Sequence, residues 1–218
     1  MKKLSKKDLL IGIDIGTSSG KGCIINQFGQ MVDSVSVEYS PISPHPDRIE
    51  QDPEDWYQAL IFLIRKMEQN GTFQKDKLVA IAIAGQMRGL TFVGADNKPV
   101  RSSILWNDQR CQEEVDLTQS TNHEMIERIT MNPINTMCTL SKLLWVKKHE
   151  PESLQATKAF LFPKDYLNLR LTNRICTDRS DASGSSFYDI RKQNWSEEIL
   201  DYYHLPIHQC PEIVPSTQ

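Results

Sequence analysis

The first forty residues alternate apolar blocks with turn residues at a spacing that suits strands. "LLIGIDI" (9–15) is an apolar run too short for a helix and predicts a buried strand. "GCIINQFGQMVDSVSVEY" (22–39) predicts two more strands joined at Phe28-Gly29. Within it, Val32, Ser34, Val35, Ser36 and Val37 alternate as a half-buried strand does. The chain is therefore expected to open as a three-stranded antiparallel meander. "PISPHPDRIEQDP" (41–53) carries four prolines and is expected to run over the surface as a loop. It ends in Asp52-Pro53, a capping residue followed by proline at the first helical position. The helix so started, 53–69, puts Trp56, Leu60, Ile64 and Met67 on one stripe and should pack against the sheet.

A second near-continuous apolar run, "LVAIAIAG" (78–85), predicts a parallel strand in a central place, buried on both faces. "LTFVGADNKPVRSSIL" reads as a strand, a turn at Asp96-Asn97 and a short strand. From about residue 108 the pattern turns helical, over 109–119, 122–130, 139–149 and 163–171. "SSFYDI" (185–190) is strand-like and precedes a helix capped by Ser196 with Glu198 nearby. The fold class expected is α/β, with a mixed sheet of hairpin strands plus a parallel strand, flanked by helices.

Composition narrows the function without naming it. Hydrophobic residues are 39% and charged residues 24% of 218, ordinary for a globular protein. A net charge of −3 gives no electrostatic case for nucleic acid or an anionic membrane. The basic stretch "MKKLSKKDLL" is followed by no apolar signal-peptide core, and no run is long enough to span a bilayer. Five cysteines, widely spaced and without C-x-x-C, argue against a disulfide framework or a zinc site and suit a reducing cytoplasm.

Three stretches carry chemistry. "IGIDIGTSSGKG" (11–22) resembles a phosphate loop, yet it fails the P-loop pattern. Gly16 and Gly20 are too close, Gly22 stands where Ser or Thr is required, and a strand follows rather than a helix. It is equally a hairpin turn rich in Gly and Ser. Asp14 at the end of a strand, beside the hydroxyls of Thr17, Ser18 and Ser19, would suit hydrated Mg²⁺ and phosphate, with Lys21 neutralising charge. "IAGQMRGL" (83–90) ends the parallel strand, where α/β sheets gather ligands, and Gly85 and Gly89 bracket Gln86, Met87 and Arg88. "ILWNDQR" (104–110) offers Trp106, Asn107 and Asp108 to a polyol. The alternative there is a core tryptophan before a helix capped by Asn107 or Asp108.

Taken in order, "GIDIGTSSGK", "EQDPEDWYQA", "IAGQMRGL", "ILWNDQRC", "LSKLLWVKKHEPE", "FPKDYLNLRLT" and "TDRSDASGSSFYDI…WSEEIL" resemble the N-terminal domain of the FGGY carbohydrate kinases, from about residue 9 onward. The xylulokinase branch looks nearest. The resemblance implies a ribonuclease H-like, actin-type domain and transfer of the γ-phosphoryl group of MgATP to a sugar hydroxyl. ATP and Mg²⁺ are the implied cofactors. The phosphate loop falls on Asp14, Gly16, Thr17, Ser18 and Lys21, with Asp14 holding Mg²⁺ through water. Substrate contacts fall on Gln86, Met87, Arg88, Trp106, Asn107 and Asp108, while Lys142 and Trp145 support the fold. The implied partner is a small sugar, with no nucleic acid or membrane, a cytoplasmic location, and a homodimer as a possible assembly.

Two departures from the family pattern stand out. Xylulokinases usually carry His where this chain has Arg88, which leaves the substrate open: xylulose, or a relative such as ribulose, gluconate or glycerol. The catalytic aspartate of the family sits in a G-x-x-D-N segment that follows the last residue here, so the catalytic base is expected beyond residue 218. The chain is therefore expected to be an N-terminal domain lacking its ATP-binding partner domain and inactive alone. A non-catalytic sugar-binding regulator and an actin- or chaperone-like ATPase are the rival readings on this fold.

Overall fold

The computed structural model describes residues 8–72 and 75–217. The basic N-terminal stretch, as far as Lys7, lies outside the described residues. In chain order the first elements are β1 (Leu9–Ile15), β2 (Ser19–Asn26), β3 (Met31–Glu38), β4 (Ile42–His45), β5 (Arg48–Gln51), α1 (Pro53–Gln69) and β6 (Leu78–Gly85). Then come β7 (Thr91–Val93), β8 (Ser103–Ile104), α2 (Gln112–Thr121), α3 (His123–Thr130), α4 (Thr139–His149) and α5 (Pro151–Ala156). The last third holds β9 (Ala159–Leu161), α6 (Pro163–Thr172), β10 (Cys176–Asp178), α7 (Arg179–Ser183), β11 (Tyr188–Asp189), β12 (Asn194–Trp195), α8 (Glu197–Tyr202) and β13 (Glu212–Val214). These form two compact units, one running to Pro41 and resuming over Glu54–Gln86, the other Ile42–Pro53 with Met87 onward.

The first unit is a four-stranded sheet in the order β3-β2-β1-β6 with α1. The meander is present: β1 pairs antiparallel with β2, and β2 with β3, closed by a turn in which Gly29 takes a left-handed φ of 75°. Ile11, Ile13 and Ile15 of β1 point to one face and are buried. On the same face of β2, Gly20 and Gly22 lack side chains because α1 lies there. A Cβ on Gly22 would meet Met67 Cε at 3.1 Å and Ile13 Cδ1 at 3.2 Å. A Cβ on Gly20 would meet Leu63 Cδ1 at 3.3 Å. The α1 stripe is Trp56, Leu60, Leu63 and Met67, all fully buried, with Ile64 only half-buried.

β6 pairs parallel with β1 as expected, but its place is corrected: it lies at the sheet's edge, and Val79 and Ile81 are exposed. Its apolar run says only that both faces tolerate alanine and isoleucine, and that does not fix a neighbour on its far side.

The second unit corrects the proline-rich "loop". Residues 42–51 form a β-hairpin, β4 with β5, and β5 continues onto β8 to give a sheet in the order β4-β5-β8. Pro44 is accommodated because β4 is the edge strand, where a missing N–H costs no ladder bond. β7 and β8 do not share a ladder; β7 pairs with β9 instead, and an isolated bridge links Leu90 to Ile104. The helices fall near their expected positions, with α5 added after Pro151 and the predicted 185–190 strand reduced to Tyr188–Asp189. Ser196 caps α8, accepting from Ile199 N–H. The core of this unit gathers Leu90, Phe92, Leu140, Leu143, Phe160, Phe162, Phe187 and Trp195.

Candidate functional site

In the first unit the glycine-rich stretch is a β1–β2 hairpin turn. Gly16 N–H donates to Ser19 O at 3.0 Å, so this amide is spent inside the turn. Two groups from elsewhere hold the turn in shape. Tyr39 N–H donates to Ser18 O at 3.1 Å, and its hydroxyl donates to Gly16 O at 2.7 Å. Gln86 N–H donates to Ile15 O at 2.8 Å, and the Thr17 hydroxyl donates to Gln86 Oε1 at 3.1 Å. Burial, then the nearby charge of Asp14, pushes the Tyr39 phenol well above its usual range, so it stays protonated and donating.

Asp14 and Lys21 are directly opposed in the β1–β2 register and exposed, on the face away from α1. Ser18 is exposed at the tip. The turn thus offers a carboxylate, an ammonium and a hydroxyl on one strand pair. That donor set suits a polyphosphate and its hydrated magnesium, since Mg²⁺ takes one or two carboxylates and keeps its waters. Gly20 and Gly22 have a different role, the seating of α1 described above.

The second unit resumes at Met87, exposed, and Arg88, whose φ of 58° is left-handed. Thr139 Oγ1 donates to Arg88 O at 3.4 Å, which holds this unfavourable backbone in place. The side chain runs across Gly184, where an added Cβ would meet Arg88 Cγ at 3.3 Å. Gly89 is required for a close approach, because a Cβ there would come within 2.8 Å of Pro163 Cγ.

The Trp106–Asp108 loop is not the helix start that the capping alternative would make it. Asp108 caps no helix; the residue before α2 is Cys111, and it makes no side-chain cap bond. Asp108 is fully buried and its carboxylate is spoken for. It accepts from Ile49 N–H at 2.6 Å, from Arg110 N–H at 3.0 Å, and from Arg110 Nε and Nη2 at 2.8 and 2.7 Å. Arg110 Nη2 also reaches Glu50 Oε1 at 2.7 Å, and Glu50 in turn pairs with Arg101 at 2.6 Å. Arg101 closes the chain on Glu150 at 2.7 Å. Burial would lower the Arg110 pKa, but Asp108 and Glu50 outweigh it and hold the guanidinium charged. The Arg110 guanidinium also lies 4.9 Å from the Trp145 ring centre.

Asn107 is the residue this network leaves available. Its Oδ1 is buried and accepts no hydrogen bond within the protein. An amide oxygen withdrawn from water without a donor is costly unless a ligand supplies one.

Sequence reading missed Tyr39, Glu50 and Arg110. Arg110 lay inside a quoted motif, but nothing in its spacing said that its partners were Asp108 and a glutamate sixty residues earlier. Lys142 stands where its supporting role was expected: fully buried, its ammonium donates to the carbonyls of Thr136, Met137 and Cys138. Burial brings its pKa down to about 8.

Residues 9–218 match the FGGY family of carbohydrate kinases, N-terminal domain, and the chain belongs to that family. It is 36% identical over 210 residues to the xylulose kinase of Staphylococcus xylosus and 37% identical over 210 residues to that of Escherichia coli. Each alignment covers 96% of this chain and 43% of the relative, so the chain spans less than half the length of these proteins. A crystal structure titled gluconate kinase from Lactobacillus acidophilus superposes with a TM-score of 0.90 at 29% identity, over 95% of this chain and 42% of that one. The mixed sheet and its helices are the ribonuclease H-like, actin-type architecture of these kinases. Among the described residues no helix is long and apolar enough to cross a membrane.

Proposed function

We propose that this chain is the N-terminal, sugar-binding domain of an ATP-dependent kinase that converts a ketopentose such as D-xylulose to its 5-phosphate. The observation that carries the reading is Asn107: a buried acceptor without a donor, on a loop fixed by the Asp108–Arg110–Glu50 network, in a chain whose relatives are xylulose kinases. A sugar hydroxyl supplies the missing donor. Trp106 gives the ring or carbon chain an apolar wall, while Met87 and Arg88 complete the substrate contacts. Gln86 acts on the phosphate side, by holding Thr17.

ATP is proposed to place its phosphates at the β1–β2 turn. Lys21 offsets their charge, the Ser18 hydroxyl donates to them, and Asp14 holds the waters of Mg²⁺. Magnesium, when bound, neutralises charge on the phosphate oxygens during transfer. Such catalysis is mostly positioning and electrostatics, so a rigid turn and a rigid loop are what this chain contributes. The group that takes the sugar hydroxyl's proton is proposed to be an aspartate outside these 218 residues, and the chain alone is proposed to be inactive. A cytoplasmic homodimer is the proposed setting.

Arg88 supports a second reading. A guanidinium in the substrate motif suits an aldonate carboxylate, and one structural neighbour is titled a gluconate kinase. Titration calorimetry with D-xylulose, D-ribulose, gluconate and glycerol separates the two. Tightest binding of xylulose, weakened about tenfold by Asn107→Ala, supports the first reading. Tightest binding of gluconate, lost on Arg88→His, supports the second. Binding of none of the four by the chain or by an intact enzyme carrying it overturns both.

A further inference from the structure

We propose that Glu113, Glu114 and His149, in the second unit, form a binding site for a transition-metal dication, zinc foremost. The three belong to the first turn of α2 and the last residue of α4, and one ligand atom from each lies within 4.8 Å of the others. An acidic cluster alone would say little, but Glu114 is unusual. It is 6% exposed, and both of its carboxylate oxygens are buried and accept no hydrogen bond. Its nearest basic groups, Lys148 Nζ and His149 Nε2, stand 3.7 Å from Oε1, beyond hydrogen-bond reach, and a cation coordinated directly would offset more of the cost of burying the carboxylate.

The spacing is near what coordination needs. Two ligands about 2.1 Å from one tetrahedral ion lie ~3.4 Å apart. His149 Nε2 and Glu114 Oε1 are already 3.7 Å apart. The imidazole is held in place by stacking on Trp145, with ring centres 4.7 Å apart and planes 26° from parallel. One imidazole with two carboxylates selects zinc, cobalt or nickel over magnesium, which prefers oxygen ligands alone.

Lys148 occupies the counter-charge position, 2.7 Å from Glu113 Oε2 and 3.7 Å from Glu114 Oε1. Its side chain is 52% exposed, so it can swing into solvent when a metal arrives. Entry is open, through a groove of about 580 Å³ lined by Glu113, Glu114, Leu144, Lys148 and Tyr203.

The test is a titration of the 218-residue chain with ZnCl₂ against a chromophoric chelator, repeated with CoCl₂ for its visible bands and with MgCl₂. The expected result is one zinc per chain at this site, weakened at least ~10-fold by Glu114→Gln or His149→Asn. Lys148→Gln should tighten it, because the competing cation is gone. That variant keeps the test meaningful if a ligand variant folds poorly. Zinc affinity unchanged in Glu114→Gln and His149→Asn and not raised in Lys148→Gln would overturn the site, leaving water as the partner of Glu114. Magnesium binding as tight as zinc would also overturn it. None of these readings depends on sugar or ATP, so their failure is separable from failure of the kinase reading.

Discussion

Arg110→Met is the sharpest structural perturbation available. The Arg110 side chain is 1% exposed and joins Asp108, 0% exposed, to Glu50, 13% exposed. Methionine keeps the volume and removes the charge, leaving two carboxylates without their shared cation. Removing one partner of a buried pair costs about 3–5 kcal/mol. Asp108 retains the Ile49 and Arg110 backbone donors, and Glu50 retains Arg101, so the lower end, about 3 kcal/mol, is expected. In a chain of this size that corresponds to a fall of ~6–12 °C in Tm. Circular dichroism during thermal and urea unfolding reads it directly. Adding Asp108→Asn should return more than half of the loss, since the stranded charge is then gone. A loss below ~1 kcal/mol for Arg110→Met would refute the claim that this pair organises the Trp106–Asp108 loop.

Gly22→Val forces a branched side chain against Met67 and Ile13, and overpacking of about 1–3 kcal/mol should appear in unfolding. Unchanged stability with weakened ATP binding would contradict the role given to Gly22 in seating α1. Burial pushes the Asp165 carboxyl up to about 6, against the opposing pull of Lys164. The folded state therefore holds that proton more firmly than the unfolded chain. Its contribution to stability is present below pH 4 and lost as pH rises through 6. Asp165→Asn should flatten stability against pH across that window, and a slope identical to the parent's would contradict the assignment. Arg88→His is expected to shift substrate selectivity towards xylulose, read as kcat/KM across the sugar panel, and no shift would remove Arg88 from the substrate site.

The meander, α1 and the parallel pairing of β6 could be read in the sequence because each rests on a local period. Alternation marks strands, and Trp56, Leu60 and Met67 mark a helical stripe. Position within the sheet could not be read, because an alanine-rich apolar run looks alike at the centre and at an edge. The β4–β5 hairpin hid behind Pro44 and Pro46, since what makes β5 a strand is β8, more than fifty residues later. The same distance hid the character of the Trp106–Asp108 loop. Asp108 reads as a ligand or a cap by its neighbours alone, and its buried carboxylate becomes intelligible only with Ile49, Glu50 and Arg110 around it. The role of Gly20 and Gly22 was hidden for a related reason: they admit the side chains of a helix forty residues on, which no local pattern reveals.

Sugar-stimulated release of ADP from MgATP tests the proposed kinase activity directly. The assay compares the 218-residue chain with an intact enzyme carrying it, across pentuloses, hexuloses, polyols and aldonates. No release by the chain alone is expected. The intact enzyme should release ADP with a ketopentose, and lose that activity on Asp14→Asn. ADP release by the intact enzyme that ignores every member of the panel, or that survives Asp14→Asn, would contradict the proposal.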